Sequence, residues 1–196
     1  GQAARSQRAA ARQMLLKRFG IPAGAPIVLN AGYGDLRKGL DLFVDVGARV
    51  MAESADARFL WVGAIESAQQ EMLREKLRTA HHADRFVFAP FAETLSPYLA
   101  AADVFALTSR EDPFPTVLLQ AQDAGLPVVA FRGAGGFEQL LARGGGRLAD
   151  DVPAFARDLV ALLKDTQGRA TMSAAAVRAM DGAYFLRSYA FDVARL

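Results

Sequence analysis

Ser109-Arg110-Glu111-Asp112-Pro113-Phe114-Pro115-Thr116-Val117-Leu118-Leu119-Gln120-Ala121, running on through Gly125-Leu126-Pro127-Val128-Val129-Ala130 to Gly133-Ala134-Gly135-Gly136, decides the fold. It reads as a strand end, a tight acidic loop, a short helix, a turn, a buried strand and a Gly-rich loop. The acidic loop and the Gly-rich loop each follow the carboxyl end of a strand. Both therefore fall on one edge of a sheet, the edge where open α/β sheets bind ligands. Pro115 suits the first turn of a helix, where its missing N–H costs nothing. The N-terminus of that helix offers unbonded N–H groups and a partial positive charge, which suit a phosphate.

On the N-terminal side the pattern repeats. Residues 3–19 are Ala-, Arg-, Gln- and Leu-rich and predict a helix, stopped by Gly20 and followed by Pro22 and Pro26. Ile27–Ala31 is a first apolar strand, and Gly32 to Gly39 its exit loop. Leu40, Phe43, Val44, Gly47, Val50 and Met51 share one face of the next helix. Strands are expected at 58–63, 86–89 and 103–107, with helices over 66–80 and 97–102 between them. Beyond the decisive stretch, 144–148 reads as a sixth strand, and 152–164, 167–180 and 184–195 as helices. Apolar strands alternating with helices predict a doubly wound, Rossmann-like parallel sheet of about six strands with helices on both faces. The first strand should be central, with the chain reversing direction between strands one and four.

Composition narrows the function classes. Among 196 residues 52% are hydrophobic and 22% charged, so the chain is globular rather than disordered. A net charge of +2 gives no electrostatic case for nucleic-acid binding. The absence of cysteine excludes disulfides, thiol catalysis and thiolate metal sites. No apolar run approaches the ~20 residues of a membrane span, and the N-terminus lacks a signal core. A cytoplasmic location is expected.

Individual residues say less. Lys38 alone is an ordinary surface lysine. Its place after a strand, between Gly32/Gly34 and a helix start at Gly39-Leu40, makes it a candidate diphosphate holder. The loop is neither a P-loop nor a dinucleotide fingerprint, since the Gly-Lys-Ser/Thr ending and the Gly-x-Gly-x-x-Gly spacing are both missing. Asp112 alone is a turn or N-cap residue, and Gln120 an exposed helix position. His81 and His82 point apart and do not form a metal pair. No Ser-His-Asp arrangement and no Asp-x-Asp metal motif is evident. Tyr184, Phe185, Tyr189 and Phe191 form an aromatic cluster suited to packing here or to docking on another domain.

Taken together, the residues resemble the donor-binding C-terminal domain of retaining GT-B glycosyltransferases of family 4, the group 1 enzymes. The resemblance covers nearly the whole chain. It rests on the order and spacing of Gly32 to Lys38-Gly39, Phe59-Leu60-Trp61-Val62-Gly63, Arg85-Phe86-Val87-Phe88, Leu99 to Ser109 and Ala124 to Ala130. It implies a nucleoside diphosphate sugar as substrate, retaining hexosyl transfer, a role in polysaccharide biosynthesis, no metal and no other cofactor. The implied catalytic residues are Asp112, beside the transferred sugar, and Lys38. The donor's sugar, phosphates, ribose and base would meet Gly32, Tyr33, Arg37, Lys38, Gly63, Phe91, Ala92, Asp112, Phe114, Pro115, Thr116, Val117 and Gln120.

Three departures from the family pattern stand out. Its paired acids, eight positions apart, read here as Asp112 and Gln120. Tyr33 stands where an Arg is frequent, with Arg37 beside Lys38 to compensate. A further acid after the Gly-Gly turn falls at or near Glu138 and Gln139. In that family a second domain completes the site. Residues 1–20 would be a leading helix, and 183–196 a C-terminal helix docking on an N-terminal acceptor domain through which a peripheral membrane contact is made. The chain is too short to hold both domains, and alone it is expected to be inactive. Two other readings stand beside this one: a catalytically degenerate nucleotide-binding or interaction module, and half of a sugar-nucleotide epimerase.

Overall fold

The computed structural model describes residues 2–54, 56–79, 82–113 and 115–181. Helix α1 (Gln2–Phe19) leads into β1 (Ile27–Ala31), α2 (Leu40–Glu53), β2 (Arg58–Val62), α3 (Ser67–Thr79) and β3 (Phe86–Ala89). The second half runs α4 (Ser96–Ala101), β4 (Val104–Leu107), α5 (Thr116–Asp123), β5 (Val128–Phe131), α6 (Glu138–Leu140), β6 (Gly146–Ala149), α7 (Val152–Lys164) and α8 (Thr166–Asp181). The strands form one six-stranded sheet in the order β3-β2-β1-β4-β5-β6. Every pairing is parallel. The chain thus winds outward from β1 to β3, returns beside β1 as β4, and winds the other way. The switch point lies between β1 and β4.

The pleat explains why helices cover both faces. Successive strand residues point to opposite sides, and each side meets its own core. Ile27, Leu29, Leu60, Phe105, Leu107 and Val128 pack with α1, α4 and α5 residues such as Leu15, Leu99 and Leu118. Val28, Phe59, Trp61, Val104, Ala106 and Val129 pack with Phe43 of α2 and Phe155 of α7. On that second face Phe43 meets Phe59, Trp61 and Phe86 edge-on, with centroids 5.3, 5.4 and 6.4 Å apart. Such pairs add about 0.5–1.5 kcal/mol each beyond simple burial.

Helix α1 belongs to the core on the first face. Leu15 is fully buried. Arg12 donates to the carbonyls of Ala101 and Ala25 and to Asp103 Oδ2, at 2.7, 2.6 and 3.0 Å. It therefore caps α4, whose last carbonyls have no partner within the helix.

The sixth strand starts two residues later than its sequence suggests. Gly144 and Gly145 belong to a wide helical turn, Leu141–Gly145, in which Gly144 has φ +103°. A Cβ on Gly145 would strike Gln122 Oε1. The expected helix 184–195 and its aromatic cluster lie outside the described residues. Among the described residues no helix is long and apolar enough to cross a membrane.

Candidate donor site

Two loops meet at the switch point. Residues 32–39 leave β1, and residues 108–115 leave β4. Buried polar side chains join them. Asn30 Nδ2 donates to Thr108 Oγ1 at 3.0 Å, and Asn30 Oδ1 accepts from the Ala31 N–H at 2.8 Å. The Thr108 hydroxyl lies 2.9 Å from the Gly39 carbonyl and 3.3 Å from that of Lys38. Gly39 has φ +69°, and a Cβ there would strike the Thr108 carbonyl, so only glycine lets the loops approach this closely. Asp35 Oδ1 accepts from the Lys38 N–H at 2.7 Å and closes the turn.

Charged groups lace the outer side. Arg110 forks onto both Asp41 oxygens at 2.7 Å and also reaches the Leu36 carbonyl. Burial pushes the Asp41 carboxyl up, but the hydrogen bond and charge of Arg110 outweigh it, and the net shift is downward. The same pairing raises Arg110. Arg37 donates to the Glu111 carbonyl at 3.2 Å and lies 4.0 Å from Asp35.

A cavity of about 500 Å³ opens above this junction. Gly32, Tyr33 and Lys38 form one wall, Gly63 and Ala64 the floor after β2, and Phe91 and Ala92 the far end after β3. Thr116, Val117 and Gln120 of α5 form the opposite wall. The Thr116 and Val117 N–H groups at the start of α5 have no acceptor within their own helix, so Lys38 and a helix N-terminus line one cavity. Tyr33 and Phe91 are 52% and 73% exposed, leaving two aromatic faces at the rim. Gln120 is exposed and also borders a neighbouring cavity of about 790 Å³, which shares Phe91, Ala92 and Leu95.

Other sequence-selected residues stand elsewhere. Arg37 is turned to the acidic loop and is not in the cavity wall. Buried Pro115 precedes α5 and also stays out of the wall. Asp112 is only 5% exposed and reaches the cavity through Lys38, whose Nζ is 2.5 Å from its Oδ2. Glu138 accepts from the Gly133 N–H at 2.5 Å, stapling its own Gly-rich turn, while Gln139 is exposed. Phe114 and His81 lie outside the described residues. Among the described residues no group of three or more His, Asp or Glu side chains comes together to hold a metal.

Sequence reading missed the Asn30–Thr108 link and Gln122. A polar residue inside each apolar strand stretch, Ile27–Ala31 and Val104–Thr108, was the available signal for the link. Gln122 is fully buried, donating to the Leu126 and Gly145 carbonyls at 3.1 and 2.9 Å. Its Oε1 has no partner among the described residues.

This is a doubly wound α/β domain with a cavity at its switch point. Residues 25–165 match the family described as Glycosyl transferases group 1. The chain is 35% identical over 175 residues to the D-inositol 3-phosphate glycosyltransferase of Xylanimonas cellulosilytica, covering 86% of this chain and 41% of that protein. It therefore belongs to the group 1 glycosyltransferases. It is similar in structure to Anabaena Alr3699/HepE, solved with UDP and glucose, at 25% identity and a TM-score of 0.73 over 88% of this chain and 48% of that one. The C-terminal domain of the group 1 protein LpcC from Francisella tularensis shares the fold, with a TM-score of 0.76 at 18% identity over 88% and 92% of the two chains. The chain spans about two fifths of the length of the curated relatives it matches.

Proposed function

We propose that this chain binds the nucleoside diphosphate sugar of a retaining hexosyltransferase, with the acceptor held by an N-terminal domain outside this sequence. One observation carries the reading: Lys38 and the N-terminal turn of α5 line one cavity at the β1/β4 switch point. Membership in the group 1 family and the UDP complex of a structural neighbour support it.

The chemistry follows from charge. When the bond between the anomeric carbon and the diphosphate oxygen breaks, negative charge grows on the leaving diphosphate. The Lys38 ammonium and the N–H groups of Thr116 and Val117 are fixed in advance to stabilise it. Asp112 holds Lys38 and, with it, forms the catalytic pair of this reading. Tyr33, Phe91 and Ala92 enclose the base, Gly32 and Gly63 admit the phosphates closely, and Gln120 bonds the ribose. No metal is invoked, so chelator should leave binding unchanged. In this reading the segment 183–196 docks on the domain that holds the acceptor, and the chain alone does not complete a transfer.

Calorimetric titration with UDP, GDP, ADP and the matching nucleosides tests the assignment. Lys38→Ala should weaken the best diphosphate by about 10- to 100-fold, the worth of a charge-assisted hydrogen bond, and leave the nucleoside nearly unchanged. Equal losses for both would remove Lys38 from the phosphate role. No binding of any diphosphate would overturn the donor reading and favour an interaction module, which the neutral Gln120 in the α5 wall is compatible with.

A further inference from the structure

Asp112 stands behind Lys38, not beside it in the cavity wall. Two groups hold its carboxylate, and further contacts hold its backbone. Oδ2 meets Lys38 Nζ at 2.5 Å and accepts from the Ser109 hydroxyl at 3.4 Å. Its backbone N–H donates to the Ala134 carbonyl at 2.7 Å, and its own carbonyl occupies the space where a Cβ on Gly135 would sit. The next turn is fastened too, by the Gly136 N–H to the Pro113 carbonyl at 3.0 Å. The backbone that carries the carboxylate cannot shift without undoing the Gly135-Gly136 turn. The Lys38 stem runs along Gly32, 3.7–3.8 Å from where its Cβ would be, and is likewise guided. The cavity is therefore offered a cation with a fixed anion at its back.

From this arrangement we propose that Asp112 is a specificity-determining residue that acts by charge, offsetting part of the Lys38 attraction and so cutting the advantage of the free nucleoside diphosphate over one whose β-phosphate is esterified. The inference rests on the donor-site reading above. A β-phosphate ester of a nucleoside diphosphate carries about two negative charges, whereas the free diphosphate approaches a third near neutral pH, because a terminal phosphate loses its second proton near pH 6. Charge-assisted contacts are about 2.8 Å long. Any phosphate oxygen bonded to Lys38 then lies within about 5 Å of Asp112 Oδ2. At that distance one added unit of negative charge meets a repulsion of roughly tenfold in affinity, between the limits of bulk-water and protein-surface dielectric. The esterified substrate feels less of this repulsion than the product that replaces it. Asp112 thereby weakens the hold of the site on the spent diphosphate relative to its hold on the donor.

The test uses the 196-residue chain, calorimetry, the tightest binder among UDP, GDP and ADP, and the β-methyl ester of that same nucleotide. In the wild-type chain the free diphosphate should bind less than about tenfold tighter than the ester, because Asp112 offsets part of the Lys38 attraction. A tenfold preference for the free diphosphate would overturn the proposal, and this comparison needs no variant to fold. Asp112→Asn keeps the shape and removes the charge. It should raise the affinity of the free diphosphate relative to the ester by roughly tenfold. A variant that shifts both ligands by one common factor would overturn the selection while leaving the donor site standing. If no nucleoside diphosphate binds the wild-type chain, the donor reading falls and the selection with it.

Discussion

Replacing Thr108 by Val removes one hydroxyl and nothing else of consequence in volume. That hydroxyl is fully buried, accepts from Asn30 Nδ2 at 3.0 Å and donates to the Gly39 carbonyl at 2.9 Å. The Gly39 carbonyl keeps a second donor, the Phe43 N–H at 2.9 Å, so it is not orphaned. The Asn30 amide is. It is 2% exposed, and among the described residues its Nδ2 has no other acceptor once the hydroxyl is gone. A buried donor left without a partner costs about 1–3 kcal/mol, so Thr108→Val should lower the unfolding free energy by about 2 kcal/mol. With a urea slope of about 2 kcal/mol per M, the midpoint should fall by about 1 M. Adding Asn30→Ala should recover part of that loss, because the orphan disappears with its side chain. The double-mutant cycle should return a coupling of at least about 1 kcal/mol. A loss under about 0.5 kcal/mol, or additive effects, would mean that the amide finds another partner and that this link does not hold the two loops together.

Gln120→Glu should tighten ribonucleoside diphosphates, since a charge-assisted bond is worth about 1.5–3 kcal/mol against about 1 for a neutral one. A dideoxy ligand, titrated in parallel, should gain little. Phe91→Ala should leave stability within about 0.5 kcal/mol, because the ring is 73% exposed. The same variant should weaken a nucleoside about tenfold if the ring covers the base, a stacking contribution of about 1–3 kcal/mol. Against the upward push of burial, the Asp41 carboxyl is held below its ordinary value of 3.8 in the folded chain by Arg110. Its contribution to stability is therefore fully present above that value and is lost as pH falls through the lower folded one. Arg110→Met should cost no more than about 1 kcal/mol at pH 7, since Arg110 is 42% exposed. Urea melts from pH 6 to pH 2 should show the wild type and the variant converging only below about pH 4. A constant gap down to pH 2 would count against the pair.

Most of the fold was legible because it is written in short-range rules. Ile27–Ala31, Phe86–Ala89 and Val128–Phe131 are apolar runs too short for helices, set off by Gly, Pro or polar residues, and each became a strand at the expected place. The exception at Gly144-Gly145 is instructive. A glycine run carries no periodicity, so its local pattern does not distinguish a strand from a turn. What sets the turn there is a distant side chain, Gln122, packed where a Cβ on Gly145 would have to go.

The site was less legible, because its logic depends on which way side chains point. Gln120 and Gln122 are two residues apart on one helix, about 200° around its axis. One faces the cavity and the other is sealed in the core. A single sequence marks both as polar and does not say which face is buried. Arg37 and Lys38 are adjacent cations in one loop, yet only Lys38 enters the cavity wall, while Arg37 turns to the Glu111 carbonyl. Asp112 shows the same limit most sharply. Its loop and its charge were readable. Its seat behind Lys38 was not, since it depends on the Ala134–Gly136 turn closing against the backbone of residues 112–113 from another strand end. A one-carbon longer acid at position 112 would carry the same charge farther from that anchored backbone. The prediction is that Asp112→Glu binds the free diphosphate and its β-methyl ester with a ratio different from wild type, while Asp112→Asn moves the ratio toward the free diphosphate. If Glu and Asp gave the same ratio, the net charge of the loop alone would account for the selection, and the short side chain seated behind Lys38 would lose its explanatory role.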